Sequence, residues 1–391
     1  MDLIGRHVVV ANWRDPDHSL AGGAERYAWE FACALVAAGA RVDFLTAREA
    51  GQRRSELRDG IRILRRGGRL GFYPSAALHL LRHRRRVDAV VDAEAGIPTF
   101  SPLFVSRRTG VVLLMHHVHQ TQFDTYFPRP LAVVGRLLER VAMPRVYRGR
   151  PVLAVSESTR TEMARQLGWT PAVTVLPNGT AAVVRRDVPA EDTVDRVVVL
   201  GRLATHKRVD LVVRAVAALV PLRPALHLDV VGRGPEMESL AALVDTLDVA
   251  KHVTLHGYLD EADKADLMTR ARLHVCASDA EGWGQVVVEA ASYGVPTVAR
   301  DVPGMRDSVR DTTTGWLLRE PADDLVAVQA RLLAGIEQAL EELDDEERRE
   351  EIAVACRAWA ARFSWEEMHD GAVAAVLQAL EKGGTSCPPS Q

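Results

Sequence analysis

The sequence predicts an α/β protein built from two Rossmann-like, doubly wound domains. Three observations carry that reading. The chain has 391 residues, more than one hydrophobic core usually organises. Short apolar runs of strand length alternate with longer amphipathic runs of helix length in both halves, the pattern of βαβ units. The halves also differ in charge. Residues 1–184 hold 26 Arg and no Lys against 16 acidic residues, a net +10, and the remainder holds 23 basic against 36 acidic, a net −13. Such asymmetry suits two bodies with different partners.

Composition narrows the class further. Apolar residues make up 47% and charged residues 26%, ordinary for a soluble globular protein. No stretch of eighteen apolar residues and no signal-peptide pattern occurs, so a cytoplasmic protein is expected. Cys33, Cys276, Cys356 and Cys387 stand alone, without metal or disulfide spacing, and suit a reducing compartment.

Residues 7–13 read as a buried first strand, 15–23 as a loop ending Ala21-Gly22-Gly23, 24–38 as a helix closed by Gly39, and 41–46 as the next strand. The glycines lack G-x-G-x-x-G spacing and Asp43 is no sound ribose-binding acid, so a dinucleotide fingerprint is not supported. Gly22 and Gly23 serve either a tight turn or a close backbone approach to a ligand. Residues 53–86 form the most basic stretch: Arg65-Arg66-Gly67-Gly68-Arg69 and Arg84-Arg85-Arg86 flank Leu70-Gly71-Phe72-Tyr73-Pro74, with a short helix expected over 75–81. This is a solvated basic face, or one that rests on an anionic membrane or holds an acidic acceptor. No nucleic-acid module accompanies it.

Strands at 87–93 and 111–115 run into Glu94-Ala95-Gly96-Ile97-Pro98 and His116-His117-Val118-His119. The histidine spacing invites a metal, but there is no H-E-x-x-H helix and no carboxylate in register nearby, so no metal is expected. At the carboxyl end of a parallel strand an imidazole faces a ligand or fills a structural place. His116, directly after the strand, is the first candidate. An amphipathic helix over 131–141, placed beside the acceptor, precedes a strand at 152–156 and a helix capped by Ser156. Leu176-Pro177-Asn178-Gly179 leads to a polar linker at 185–195, which sets the domains at 1–185 and 186–364.

The second domain opens with a strand at 197–200 that runs into Gly201-Arg202-Leu203-Ala204-Thr205-His206-Lys207 before a helix at 209–220. A diphosphate site needs such an arrangement. Cations neutralise the charge that grows as a phosphate leaves, and backbone amides donate the rest. Strands at 226–231 and 253–258 end in Gly232-Arg233-Gly234-Pro235 and His256-Gly257-Tyr258-Leu259. After a helix at 261–270 and a strand at 273–277 comes a glycine-rich turn, a helix starting near Gly284, and a strand at 295–299. Glu281 and Glu289 bracket that helix start with seven residues between them. At about 1.5 Å per residue they lie roughly 12 Å apart, too wide for an acid/base pair on one glycosidic bond, which needs roughly 5–10 Å. They suit one elongated ligand held at two points, with an anionic centre on the helix N-terminus between them. Charged helices at 325–343 and 346–362 follow, then a last helix over 365–382. The tail, 383–391, is expected to be disordered.

Glu281-Gly282-Trp283-Gly284, the E-x7-E spacing, Gly294-Val295-Pro296 and Pro303-Gly304 resemble the retaining GT-B glycosyltransferases of the family-4 type. Gly22-Gly23-Ala24-Glu25, His116, Leu176-Pro177-Asn178-Gly179, and Arg202 with Lys207 match further motifs of that family. The resemblance implies the GT-B arrangement, two Rossmann-like domains facing a cleft, with the last helix returning to the first. It implies a nucleoside-diphosphate sugar donor, of UDP or GDP type. Glu289 would hold the ribose, Arg202 and Lys207 the diphosphate, and Glu281 with the amides of Gly282, Trp283, Gly284 and Gln285 the sugar. Gly22, Gly23 and Gly201 would approach the diphosphate, Gly232, Gly257 and Tyr258 the nucleotide, and His116 the donor sugar, with His117, His119 and Asn178 as acceptor-side candidates. The implied chemistry is retention by a front-face route. No convincing D-x-D site occurs, and the two cations can do a metal's electrostatic work, so neither a divalent metal nor a cofactor is expected. The acceptor is a glycan, a lipid-linked molecule or a small natural product, with peripheral contact to the inner membrane face as one option and no nucleic acid involved. Two other readings stand beside this one: a nucleotide-sugar epimerase or phosphorylase on the same fold, and a non-catalytic nucleotide-sugar-binding subunit.

Overall fold

Continuous apolar strands, buried on both faces, make two parallel sheets, as runs such as Val8-Val9-Val10 and Val197-Val198-Val199 require. The computed structural model describes all residues except 1, 20, 95, 182, 184–194, 320–323 and 385–391. One unit comprises Met1–Gly179 with Trp365–Gln391, the other Thr180–Ser364. The division falls at 179/180 instead of 185/186. Residues 185–194 of the expected linker lie outside the described residues, and Asp195 already opens a strand.

In the first unit the chain runs β1 (His7–Ala11), α1 (Gly23–Ala37), β2 (Arg41–Ala47), β3 (Ser55–Arg58), β4 (Ile61–Arg66), α2 (Gly68–His83), β5 (Ala89–Glu94) and β6 (Gly110–Met115). It continues through α3 (Gln122–Tyr126), α4 (Arg129–Leu137), a π-helical turn (Leu138–Ala142), α5 (Met143–Val146), β7 (Val152–Ala154), α6 (Glu157–Leu167) and β8 (Thr174–Val175). The strand order is β3-β4-β2-β1-β5-β6-β7-β8, parallel except for the β3–β4 hairpin. The chain builds outward from β1 to β4, then returns to add β5 on the other side of β1. That reversal makes a topological switch point at the carboxyl ends of β1 and β5.

The basic stretch differs from its expected form. It holds a hairpin and a sixteen-residue α2, and three of its eleven arginines are matched by nearby acids. Arg58 pairs with Asp17 and Glu56, Arg62 with Asp43, and buried Arg65 with Asp15, Asp17 and Glu56. Three of its charges are therefore neutralised locally, which removes them from any anionic partner. The amphipathic run expected at 131–141 is likewise broken by the π turn at 138–142.

The second unit runs β9 (Asp195–Leu200), α7 (Val209–Leu219), β10 (Leu226–Val231), α8 (Met237–Thr246), β11 (Val253–Gly257), α9 (Glu261–Arg270), β12 (Leu273–Cys276) and α10 (Gln285–Ser292). β13 (Thr297–Arg300), α11 (Met305–Ser308), β14 (Gly315–Leu318), α12 (Leu325–Asp344) and α13 (Glu346–Ala360) complete it. Its order, β11-β10-β9-β12-β13-β14, is parallel throughout, with the switch point between β9 and β12.

The last helix, α14 (Trp365–Gly384), belongs to the first unit. It lies so close on β6 that a Cβ at Gly110 would come within 2.8 Å of the Ala379 backbone, and His369 reaches Glu30 of α1 at 3.1 Å. Residues 383 and 384, expected in the tail, are helical; 385–391 lie outside the described residues.

Candidate functional site

The switch point of the second unit gathers its chemistry from two strand ends. After β9, Gly201 leaves the sheet at φ +127° and Thr205–Lys207 form one 3-10 turn. Arg208 then adopts φ +51°, left-handed and uncommon for a side-chain-bearing residue, and starts α7. After β12, Ser278 and Glu281 lie in the loop that enters α10. The Asp279 amide donates to the His206 carbonyl at 2.8 Å, tying the two loops together.

Lys207 Nζ donates to Glu281 Oε1 in a close ion pair, and Ser278 Oγ donates to the same oxygen at 2.8 Å. Burial pushes the Glu281 carboxyl up, but the Lys207 charge and these hydrogen bonds outweigh it and hold the group below its usual range. Burial likewise lowers Lys207, and the Glu281 charge more than restores it. Both are ionised at neutral pH, so Glu281 accepts hydrogen bonds and cannot serve as a general acid. Arg202, Lys207, Gly201 and Ser278 line a recess against Val199 and Val275 that encloses about 280 Å³ of empty space, part of it open solvent.

The glycines here are dictated by close approach. A Cβ on Gly232 would sit 1.8 Å from the Gly201 carbonyl oxygen, where no side chain fits. Gly284 caps α10 at φ +84°, with Ser308 Oγ 2.6 Å from where a Cβ would stand. Gly304 packs directly under the Glu281 carbonyl. These contacts set the N-terminus of α10, four residues after Glu281. Trp283 goes elsewhere: its indole is buried edge-on to Phe363 at 4.9 Å, so this side chain builds the core. Gly282 and Gln285 stay half-buried at the loop and helix start.

Glu289, one turn into α10, pairs with Lys264 of α9 at 2.6 Å, and Lys264 also holds Glu261 at 2.9 Å. Gly257 ends β11 at φ +69°, and the exposed Tyr258 beyond it carries the Arg233 guanidinium 5.4 Å from its ring centre. Lys264, Ser278, His206 and Arg233 were not among the expected site residues.

In the first unit, the α1 N-terminus opens with exposed Gly22 and Gly23. The Gly22 amide donates to Glu25 Oε2 at 2.7 Å, and Glu25 Oε1 pairs with Arg14 at 2.7 Å. His116 follows β6, buried, edge-on to Tyr27 at 5.5 Å. Its Nε2 has no hydrogen-bond partner among the described residues. Burial, with the charges of His119 and Arg14, lowers its pKa to about 3, so it is neutral. Asn178 is also buried, with its side-chain oxygen unpartnered among the described residues. His117 Nε2 pairs with Gln122 Oε1 at 2.9 Å, and its ring lies 3.7 Å from that of His119.

His119 overturns one expectation. Two carboxylates do stand beside it: Glu94 Oε1 at 3.0 Å and Glu139 Oε1 at 3.6 Å, both fully buried. Their ligating atoms all lie within 4.8 Å of one another. Burial opposes the His119 charge, but the two carboxylates win and raise it to about 10, while burial pushes Glu94 up. The His119 imidazolium faces both carboxylates, and Glu139 further accepts from the His119 amide at 2.7 Å and Gln120 Nε2 at 2.6 Å. The same three side chains present one ligating atom each to a common point.

Two family models divide the chain between them, Glycosyltransferase Family 4 over residues 21–183 and Glycosyl transferases group 1 over residues 183–352. The chain belongs to glycosyltransferase family 4. Within this family, a D-inositol 3-phosphate glycosyltransferase of Segniliparus rotundus is 31% identical over 215 residues, 54% of this chain and 45% of the relative. An alpha-D-kanosaminyltransferase of Streptomyces kanamyceticus is 27% identical over 318 residues, 73% of this chain and 78% of the relative. The match thus spans less than half of the inositol-phosphate relative's length. Sucrose-phosphate synthase from Thermosynechococcus elongatus shares the fold with a TM-score of 0.78 at 19% identity, covering 95% of this chain and 98% of that one. The family-4 chain therefore has the GT-B fold, two parallel-sheet α/β domains.

Proposed function

We propose that this chain is a retaining glycosyltransferase that moves a sugar from a nucleoside-diphosphate sugar to an acceptor hydroxyl. The observation that carries the proposal is the grouping of Lys207, Arg202 and Glu281 at the switch point between β9 and β12, beside the N-terminus of α10. The names of the relatives support the reaction class. Arg202, Lys207 and the α10 amides hold the diphosphate and neutralise the charge it gains as the bond to the anomeric carbon breaks. Ionised Glu281 accepts hydrogen bonds from the sugar, and Glu289, released in part from Lys264, accepts them from the ribose. The new bond forms on the face the diphosphate leaves, and the acceptor's proton passes to the departing phosphate oxygen. The first unit's His116, neutral and with an unused Nε2, is assigned to the donor sugar, and His117, His119 and Asn178 to the acceptor side. No cofactor or divalent ion takes part. UDP and GDP donors are both admitted.

The test is titration of UDP, GDP and their sugars into the purified protein by calorimetry, followed by NMR of the product anomer. Tight binding of one nucleoside diphosphate, lost in Lys207→Ala, and a retained anomeric configuration are expected. No heat from any of them, or an inverted product, refutes the reading. Product from the nucleotide sugar alone would indicate the epimerase instead.

A further inference from the structure

A continuous apolar surface lies along α4 and the π turn after it. Leu131, Val133, Val134, Leu137 and Val141 are 40–57% exposed, and Phe127 just before them is also exposed. At 3.6 residues per turn, Val133, Val134 and Leu137 share the side opposite buried Ala132 and Gly135. The inward side is fixed. A Cβ on Gly135 would come within 2.6 Å of the Phe123 ring, and Glu139 is tied to His119 and Gln120 beneath the π turn. The helix cannot roll to bury its valines, so they stay outward.

Charge decides what covers them. Between residues 120 and 150 the sequence has six arginines and two acids. Glu139 is buried and Asp124 is taken by Arg136 at 2.5 Å. Arg129, Arg140, Arg145 and Arg148 remain exposed, with no carboxylate partner among the described residues. A second copy of this chain would set these arginines against their own kind across a two-fold axis. An anionic lipid surface accepts both features at once. Leucine and valine enter the boundary between headgroups and acyl chains, and guanidiniums rest on the phosphates. Among the described residues no helix is long and apolar enough to cross a membrane, so α4 lies on the surface. We propose that α4 and its π turn form a docking face for the surface of an anionic lipid bilayer. This face is separate from the stretch at 53–86, and the proposal does not depend on the reaction proposed above.

The experiment is cosedimentation of the full chain with phosphatidylcholine vesicles, with and without added phosphatidylglycerol, and with light scattering of the free protein. Binding to the doped vesicles alone, weakened by salt, is expected. Arg129→Gln and Arg140→Gln should each weaken it roughly fivefold, and Val134→Glu combined with Leu137→Glu at least about tenfold, all with unchanged Tm because these side chains point to solvent. Vesicle binding that ignores phosphatidylglycerol, or that the double variant leaves intact, overturns the proposal. So does a parent dimer that the double variant dissolves, which would assign the face to a second copy.

Discussion

The carboxyl ends of the two sheets both gather buried charge, and they do so with opposite electrostatics. Between β9 and β12, two cations, Arg202 and Lys207, line one recess and Lys207 pairs with a single carboxylate, Glu281, an excess of positive charge that suits the proposed anionic ligand. At the β5 and β6 ends, two buried carboxylates, Glu94 and Glu139, close around one imidazolium. The same crevice can thus be built for a charged ligand or for internal cohesion. What separates the two is whether the buried charges cancel before the ligand arrives.

The largest effect should come from unbalancing the closed cluster. His119→Ala leaves two buried carboxylates without their cation and should cost about 3–5 kcal/mol of stability, read as a fall in Tm, while nucleoside-diphosphate affinity measured below the new Tm is retained. A variant as stable as the parent would break the contrast. The open site should answer in rate as well as stability. Lys207→Ala should lower Tm, because buried Glu281 loses its cation, and should lower kcat measured below that Tm by about 100-fold or more; near-normal turnover would remove Lys207 from the chemistry.

The pH profiles should oppose each other. His119 is raised from 6.5 to about 10, so its contribution is complete below pH ~6.5 and lost as pH rises through ~10. Glu281 is depressed, so its contribution is present above its usual value and lost as pH falls below it. Chemical denaturation across pH should show alkaline loss of at most about 1.4 kcal/mol per pH unit, flattened in His119→Gln, and acid loss flattened in Glu281→Gln. A smaller effect is expected at the nucleotide end: Glu289→Gln should raise KM for the donor about tenfold, the cost of one charged hydrogen bond, with kcat nearly unchanged. The smallest is none at all. Chelation should alter neither Tm nor activity, and a drop in either would place a metal at Glu94, His119 and Glu139.

Legibility in the sequence followed locality. The second unit's site was readable because its parts sit in short contiguous motifs, a strand running into Gly201-Arg202 and Glu281-Gly282-Trp283-Gly284 before a helix. Lys264 was not, because it meets Glu289 only through the packing of α9 on α10, and nothing in the spacing of 264 and 289 records that. The first unit's cluster was invisible for the same reason. Glu94, His119 and Glu139 come from a strand end, a loop and a π turn, and the extra residue in that turn re-aims Glu139 inward without any signature in composition. Charge counting misled in one place. Arg58, Arg62 and Arg65 read as a basic surface because their partners, Asp15, Asp17 and Asp43, lie on neighbouring strands and loops instead of beside them in sequence. The strand-and-helix alternation survived, since it depends on nearest-neighbour periodicity alone.

The pairing of Lys207 and Lys264 with site carboxylates has a practical corollary. The chain has only four lysines, 207, 251, 264 and 382. Lys251 and Lys382 are exposed, whereas Lys207 and Lys264 are held protonated by Glu281 and Glu289 against the pull of burial. An amine-acylating reagent should therefore modify 251 and 382 promptly and spare the other two. Peptide mapping then reports the state of each end of the proposed nucleotide-sugar site, without substrate and without an assay for turnover.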